Sequence, residues 1–570
     1  AGTLHRQTYN PRAVFNPRAM RPRKPLMKLS YLSLSLIAAA VLAGCGGGGG
    51  GGPSGPSSQL TAACSGTACG AANATTYSGQ GVGVWSYTNT TQAEQQIPVG
   101  LTNLGSKQVT LIYTNNGDAS VPMPALTLTP PAATTATAQK NLSAAPATVN
   151  RIPERIRNFK PRLTAADMQA RQSIKPQAAA ILPVGSQRSW FVQPGDSRIE
   201  ARQATLRRQA SVPTPTGTRT INVWLEDSEY DAAKVSDAML DTLLQRFTSG
   251  SDAVYPLITG LSGEPWGAHS YSDLIDPDQP LDIVFVNFVP DRTPYGLLGY
   301  FWSLNNFKQD PANPDLKYSN QSLSFYMDTE TLYLDPAEGM TNQISTLSHE
   351  FVHMTNFYRR SVQLSKPGTD YAFDTFLEEM SAMMGEDIVA QRVTPGFNSI
   401  ANGRVPSWLS RSGFNCDPAA WSADTAAPCF GYDVNGSLGA YLVRQYGVGF
   451  YKQLLSNTTS TDSLQVLGNA IQQAGGPTLP VAIQRWGANI ALLPGDVPSG
   501  YGWPARTEQG FTLAAINGSS LASSRVLPTT VPVNLNARGH FPFLRQPDAQ
   551  GTYQEQLRVP AGSTLTAVVR

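Results

Sequence analysis

Thr346–Arg360 reads TLSHEFVHMTNFYRR, and the organisation of the whole chain follows from it. His349 and His353 stand four residues apart. On a helix they lie one above the other with Cβ atoms about 5–6 Å apart, so both imidazoles can reach one metal ion. Ile344, Leu347, Phe351, Val352 and Met354 recur at helical spacing through the same stretch. Glu350 rides beside the first histidine, where its carboxylate can reach a water held on the ion rather than the ion itself. This is the HExxH pattern, with zinc as the expected metal. Chance is a poor alternative, because the chain has five histidines and two of them fall in the motif.

A tetrahedral catalytic site needs a third protein ligand and a fourth, open position. An HExxHxxGxxH layout is excluded, since Asn356 and Arg359 occupy the places of its glycine and last histidine. A glutamate from a following helix is the second layout. Phe373–Val389, FDTFLEEMSAMMGEDIV, offers Glu378 and Glu379 about 25 residues on, room for a helix end, a loop and re-entry. An aspartate, Asp370 or Asp374, is the third, although neither lies on a convincing buried helical face. Taken without the upstream motif, Glu378 and Glu379 read equally well as a solvated acidic pair.

SHEFVHM followed by FLEEMSAMMGED resembles the hyicolysin-type bacterial zinc metallopeptidases, in which the motif precedes a helix that opens on an aromatic-Leu-Asn-Glu sequence. On that pattern Phe376 and Leu377 match the start, Glu378 takes the usual Asn place and Glu379 is the third ligand; the Asn-to-Glu departure leaves Glu378 open as the ligand instead. INVWLEDSEY (Ile221–Tyr230), GEPWG (Gly263–Gly267), LDIVFVNF (Leu281–Phe288) and GYFWSLNNF (Gly299–Phe307) also look like this family. The resemblance covers roughly residues 185–500 and implies an α+β, zincin-like catalytic domain with a sheet, an active-site helix and a following helical part. Tyr432 resembles the position from which related peptidases present a phenol to a developing oxyanion, although a core tyrosine is the commoner outcome.

The rest of the 570-residue chain reads as two to four domains. Net charge is +2 with 14% charged residues, a balance that gives no reason to expect a nucleic-acid partner. Residues 1–26 read as an extension upstream of the true start. Residues 27–44 read as a lipoprotein signal, with Met27 and Lys28 before an apolar run at Leu29–Leu42 and Leu-Ala-Gly-Cys ending at Cys45. That run is shorter than the ~20 residues a membrane-spanning helix needs. The segment resembles the signal of bacterial lipoproteins; by that analogy Cys45 would carry the lipid, and Gly46 after it, rather than Asp, implies an outer-membrane address, facing periplasm or cell surface. Residues 45–62 form a Gly-rich tether. The four remaining cysteines pair most simply as Cys64–Cys69 and Cys416–Cys429 in an exported chain.

Residues 63–130 alternate as short strands and read as a small β domain, and 131–184 as a linker with a basic cluster from Arg151 to Arg162. The peptidase region is placed at 185–505. Within it Asp231–Phe247 reads as a helix, Leu281–Val289 as a buried strand, and Gly431–Gly447 as a helix closed by its glycine. Ser322–Leu334 reads as an edge strand for substrate. Residues 506–570 read as a β-rich, truncated module. His269 receives no role.

The expected reaction is peptide-bond hydrolysis, with zinc on His349, His353 and Glu379, Glu350 as general base, and a protein or peptide substrate. Asp374 and Asp387 are candidate acceptors for the free ring nitrogens. The rival is a surface-anchored adhesion lipoprotein with a structural or inactive zinc site. If Cys45 carries the lipid, Cys45→Ala abolishes incorporation of labelled fatty acid by the chain expressed in a Gram-negative host; undiminished labelling removes the anchor.

Overall fold

The computed structural model describes residues 58–128, 153–159, 181–195, 198–493 and 496–570. The readings of the upstream extension, lipoprotein signal, Cys45, Gly46–Gly52 and most of the basic linker cluster lie outside them.

The catalytic region is built on a six-stranded mixed sheet. Its order is Gly299–Phe301, Leu323–Asp328, Leu281–Val286, Gly217–Glu226, Glu200–Thr214, Gln187–Val192. Leu281–Val286 runs parallel to both its neighbours, and its sequence shows why it is central. Leu281, Ile283 and Phe285 point into the large helical core, while Val284 and Val286 pack with Trp190, Trp224 and Tyr326 on the other face. Asp282 is buried between them and is satisfied by donors from Asn222, Trp224 and Ser322.

This pairing corrects the expected edge. Leu323–Asp328 is buried along its whole length and sits between two strands, and Glu330–Leu334 beyond it is helical. The edge beside the motif is Gly299–Phe301. Asp231–Phe247 is also shorter than read: its helix spans Asp237–Thr248, begun by Ser236 accepting from the Met239 N–H at 3.4 Å.

The motif helix Gly339–Asn356, continued by a wider turn over Phe357–Leu364, lies against the sheet, and the ligand helix Thr375–Val393 packs on the motif helix. Phe351 fixes the first to the sheet side, with its ring 5.2 Å from Phe247 and 5.3 Å from Tyr255. A third helix begins at Gly431 and is closed, as expected, by Gly447 at φ 86°, and a second helical stretch follows across that kink to Ser456. Glu508 makes the kink tolerable by accepting from the N–H groups of Val448 at 3.2 Å and Gly449 at 3.0 Å.

The flanking β segments are one unit rather than two. Ser563–Val569 lies between Gly83–Thr88 and Val109–Asn115, His540–Arg545 adds to Val109–Asn115, and Tyr553–Val559 pairs with Gln95–Leu101. Within the span expected as a separate module, 506–570, the last three strands cover their apolar positions by pairing with strands more than 400 residues earlier. The 505 boundary also shifts, since Phe511, Leu513 and Ile516 bury in the catalytic core. Both disulfides, Cys64–Cys69 and Cys416–Cys429, are formed. Among the described residues no helix is long and apolar enough to cross a membrane.

His540 sits where the β unit meets the helix Leu479–Ala488. Its Nδ1 lies 3.0 Å from Thr114 Oγ1, its ring 4.9 Å from that of Trp486, and a Cβ on Gly487 would come within 2.3 Å of it. Burial holds its pKa down at about 3. The unfolded chain takes up a proton here below about pH 6.5 and the folded chain does not. The contribution to stability is therefore complete above that pH and is lost as pH falls toward 3. From pH 7 to 5, urea-derived stability should fall more steeply for the native chain than for His540→Asn, by up to about 1.4 kcal/mol per pH unit. Parallel slopes would contradict a buried neutral ring.

Candidate metal centre

The motif helix places His349 and His353 one turn apart on the face that meets the ligand helix, and all three prospective ligands are buried. The two Nε2 atoms are 3.1 Å apart. Glu379 Oε2 lies 3.2 Å from His349 Nε2 and 3.5 Å from His353 Nε2. Ligands set tetrahedrally around zinc at about 2.0–2.1 Å lie about 3.3–3.4 Å from one another. The triangle thus has the size of one face of such a tetrahedron, and its donor set of two imidazoles and one carboxylate is a zinc set.

The neighbouring glutamates divide the work. Glu379 faces both Nε2 atoms. Glu378, one residue earlier on the helix, sits behind His353, with Oε1 2.9 Å from Nδ1, and is itself held by Asn356 Nδ2 at 3.2 Å. Asp370 stays on an exposed loop, accepting from the Ala372 N–H. Asp374 precedes the ligand helix, and its N–H is donated to Ser463. Neither aspartate joins the triangle.

Behind His349 stands Glu386, which sequence reasoning missed. Its Oε2 is 3.3 Å from His349 Nδ1, and its other oxygen accepts from the hydroxyls of Ser345, at 2.6 Å, and Ser399. The available signal was spacing: Glu386 is two turns after Glu379 and so shares its face. Asp387 is not a histidine partner, because the Arg444 guanidinium holds both its oxygens in a fully buried pair.

Glu350 is fully buried. Its Oε2 accepts from the Phe301 N–H of the edge strand at 2.8 Å, and Oε1 has no hydrogen-bond partner among the described residues. Burial raises its pKa, against the lowering effect of the two histidines. Burial by itself would lower the pKa of both imidazoles, but the surrounding carboxylates outweigh it. His349 rises to about 9 through Glu379 and Glu386, and His353 rises well above its usual range through Glu379 and Glu378. The arrangement therefore calls for positive charge, which protons supply when no cation does.

Tyr432 opens the third helix with its ring 6.4 Å from that of His349, wedged against Trp421 at 4.8 Å and under the Arg404 guanidinium at 5.0 Å. Burial, then the nearby carboxylates of Glu379 and Glu350, keeps its phenol protonated. His269 lies elsewhere, with Nε2 2.8 Å from the Ile275 carbonyl.

Residues 199–570 match the family described as Peptidase M30, and residues 62–128 match a domain of unknown function, DUF8571. No curated protein matches the sequence. Similar solved structures include an M1 zinc metallopeptidase from Deinococcus radiodurans, at 14% identity and a TM-score of 0.26, with 50% of this chain and 56% of that one covered. Another is an aminopeptidase N family protein from Idiomarina loihiensis, at 11% identity and a TM-score of 0.30, with 61% of this chain and 68% of that one covered. The chain thus spans about half the length of the first of these.

Metal analysis of the purified chain is expected to give one zinc per molecule. Glu379→Gln should lose it, whereas Glu378→Gln and Glu386→Gln should keep the stoichiometry and weaken affinity about 10–100-fold. Zinc retained in Glu379→Gln and lost in Glu378→Gln would exchange the roles of the two glutamates.

Proposed function

The chain belongs to the peptidase M30 family, the hyicolysin family of zinc metallopeptidases, and from that membership we propose that it is an endopeptidase in which His349, His353 and Glu379 hold zinc and Glu350 moves the proton. One observation carries this reading: the three ligand atoms form a triangle with sides of 3.1, 3.2 and 3.5 Å beside a buried glutamate with one oxygen unpartnered among the described residues.

When bound, zinc supplies Lewis acidity, polarising a carbonyl and lowering the pKa of water. The chain's residues then do the following. The Phe301 N–H holds Glu350 Oε2 and fixes the carboxylate plane. Glu350 Oε1 accepts the proton of the attacking water and delivers it to the leaving amine, work that requires a carboxylate near the metal and not bound to it. Glu386 and Glu378 hold the two imidazoles with Nε2 toward the metal position. Tyr432 donates its phenol proton toward the oxyanion that develops on the scissile carbonyl.

The endopeptidase assignment is supported by the edge strand. Gly299–Phe301 has a strand partner on one side only among the described residues, so an extended substrate can add beside it and continue past the centre in both directions. The lipoprotein signal at residues 27–44 supports an outer-membrane location with Cys45 as the anchor.

With peptides blocked at both termini and with casein, Glu350→Gln should lose about 10²–10⁴-fold in kcat while zinc stays bound. Tyr432→Phe should lower kcat about 10²-fold with KM little changed. Full activity in Glu350→Gln removes the mechanism. Cleavage confined to peptides with a free amino terminus removes the endopeptidase assignment.

A further inference from the structure

A cavity of ≈ 140 Å³ opens against His353 and Glu379. Much of its lining is apolar: Phe301, Phe357 and Phe373 from the catalytic region, with Ile156 and Phe159 from the segment ahead of it. Phe301 and Phe357 pack with ring centroids 6.0 Å apart, and Phe159 meets Phe307 edge-on at 6.0 Å. An apolar cavity of about 150 Å³ accommodates benzene, so there is room here for a phenyl ring. Arg360 also borders the space, with its guanidinium 3.7 Å over the Phe373 ring and its Nε and Nη1 engaged by the backbone carbonyls of Tyr371, Leu455 and Asn457. Glu378 and Asp370 in the lining disfavour an acidic guest.

The origin of two of the wall residues is informative. Ile156 and Phe159 precede residue 199, where the family match begins, in a stretch whose composition reads as linker. Yet Ile156 is only 7% exposed. Glu154–Asn158 is a single helical turn, too short to persist on its own. It is held by packing, and the aromatic side chains of the cavity and of the sheet face behind it provide that packing.

Resting on the peptidase reading above, we infer that this cavity is the subsite for a bulky apolar side chain next to the scissile bond, and that Ile156 and Phe159 supply its outer wall. Specificity in this chain then depends in part on a segment outside the family-matched span. An aromatic side chain buried there binds about 10- to 100-fold more tightly than alanine.

The test uses the full zinc-loaded chain carrying Glu350→Gln and measures equilibrium binding by fluorescence anisotropy. The probes are doubly blocked Gly/Ser hexapeptides with one central Phe or Ala. The Phe peptide should bind at least about tenfold more tightly. The double change Ile156→Ser and Phe159→Ser should narrow the ratio below about threefold by weakening binding of the Phe peptide. Ala372→Phe, which fills the cavity from the catalytic side, should abolish the preference even if the double variant folds poorly. Equal affinities in the parent, or no binding of either peptide, overturn the subsite. A preference that survives the double change overturns the wall, and so does tighter binding of both peptides, which would make the segment a plug. Selective binding of the Phe peptide with no cleavage once Glu350 is restored contradicts the peptidase reading alone.

Discussion

The site depends on an excess of negative charge held out of water. Glu350, Glu379 and Glu386 are buried and Glu378 is half-buried, and together they surround two imidazoles. Carboxylates brought this far from solvent without a partner would be protonated or would expel the structure around them. A single divalent cation at the Nε2–Nε2–Oε2 triangle answers part of that demand at once. The raised pKa values of both histidines describe the same demand met by protons instead. Metal binding and proton release are therefore two states of one electrostatic balance.

The surrounding fold keeps that balance from relaxing. The motif helix cannot rotate without breaking the Phe351 packing against Phe247 and Tyr255 or the Glu350 bond to the edge strand. The ligand helix is pinned two turns past Glu379, where Asp387 takes the buried Arg444 of the third helix. Glu386, beside Asp387, is fixed by Ser345 and Ser399 and passes that fixity to His349. Breaking the Arg444–Asp387 pair would leave a buried charge uncompensated at the base of the metal site, a far larger effect than losing a surface pair.

What could be read from the sequence was local. HExxH is a statement about one helical turn, and a helix returns it faithfully, so His349, Glu350 and His353 were legible from spacing alone. Glu379 against Glu378 was not, because adjacent residues on a helix differ by about 100° in direction and only the packing of two helices selects between them. Glu386 was legible in principle from its seven-residue offset, and it went unread because Asp387 beside it is equally acidic. Leu323–Asp328 was misplaced at an edge, since a strand's neighbours are not written in its own residues. The pairing of Ser563–Val569 was illegible for the same reason: its partners lie more than 400 residues earlier.

That last pairing bears on what counts as the working unit. The family match runs over 199–570 and so includes Ser563–Val569, His540–Arg545 and Tyr553–Val559, but their partners Gly83–Thr88, Gln95–Leu101 and Val109–Asn115 lie outside it. A chain cut to the matched span would keep three strands with open edges and lose the opposite wall of their core. It would also lose Ile156 and Phe159 from the cavity beside the metal centre. His540, within the matched span, rests on Thr114, outside it, and on Trp486 of the catalytic helices, so the exposed strands would unsettle the helical core as well. The strands described between residues 58 and 128 are thus parts of the same folded body as the matched span, and the catalytic region reaches its observed packing with them in place.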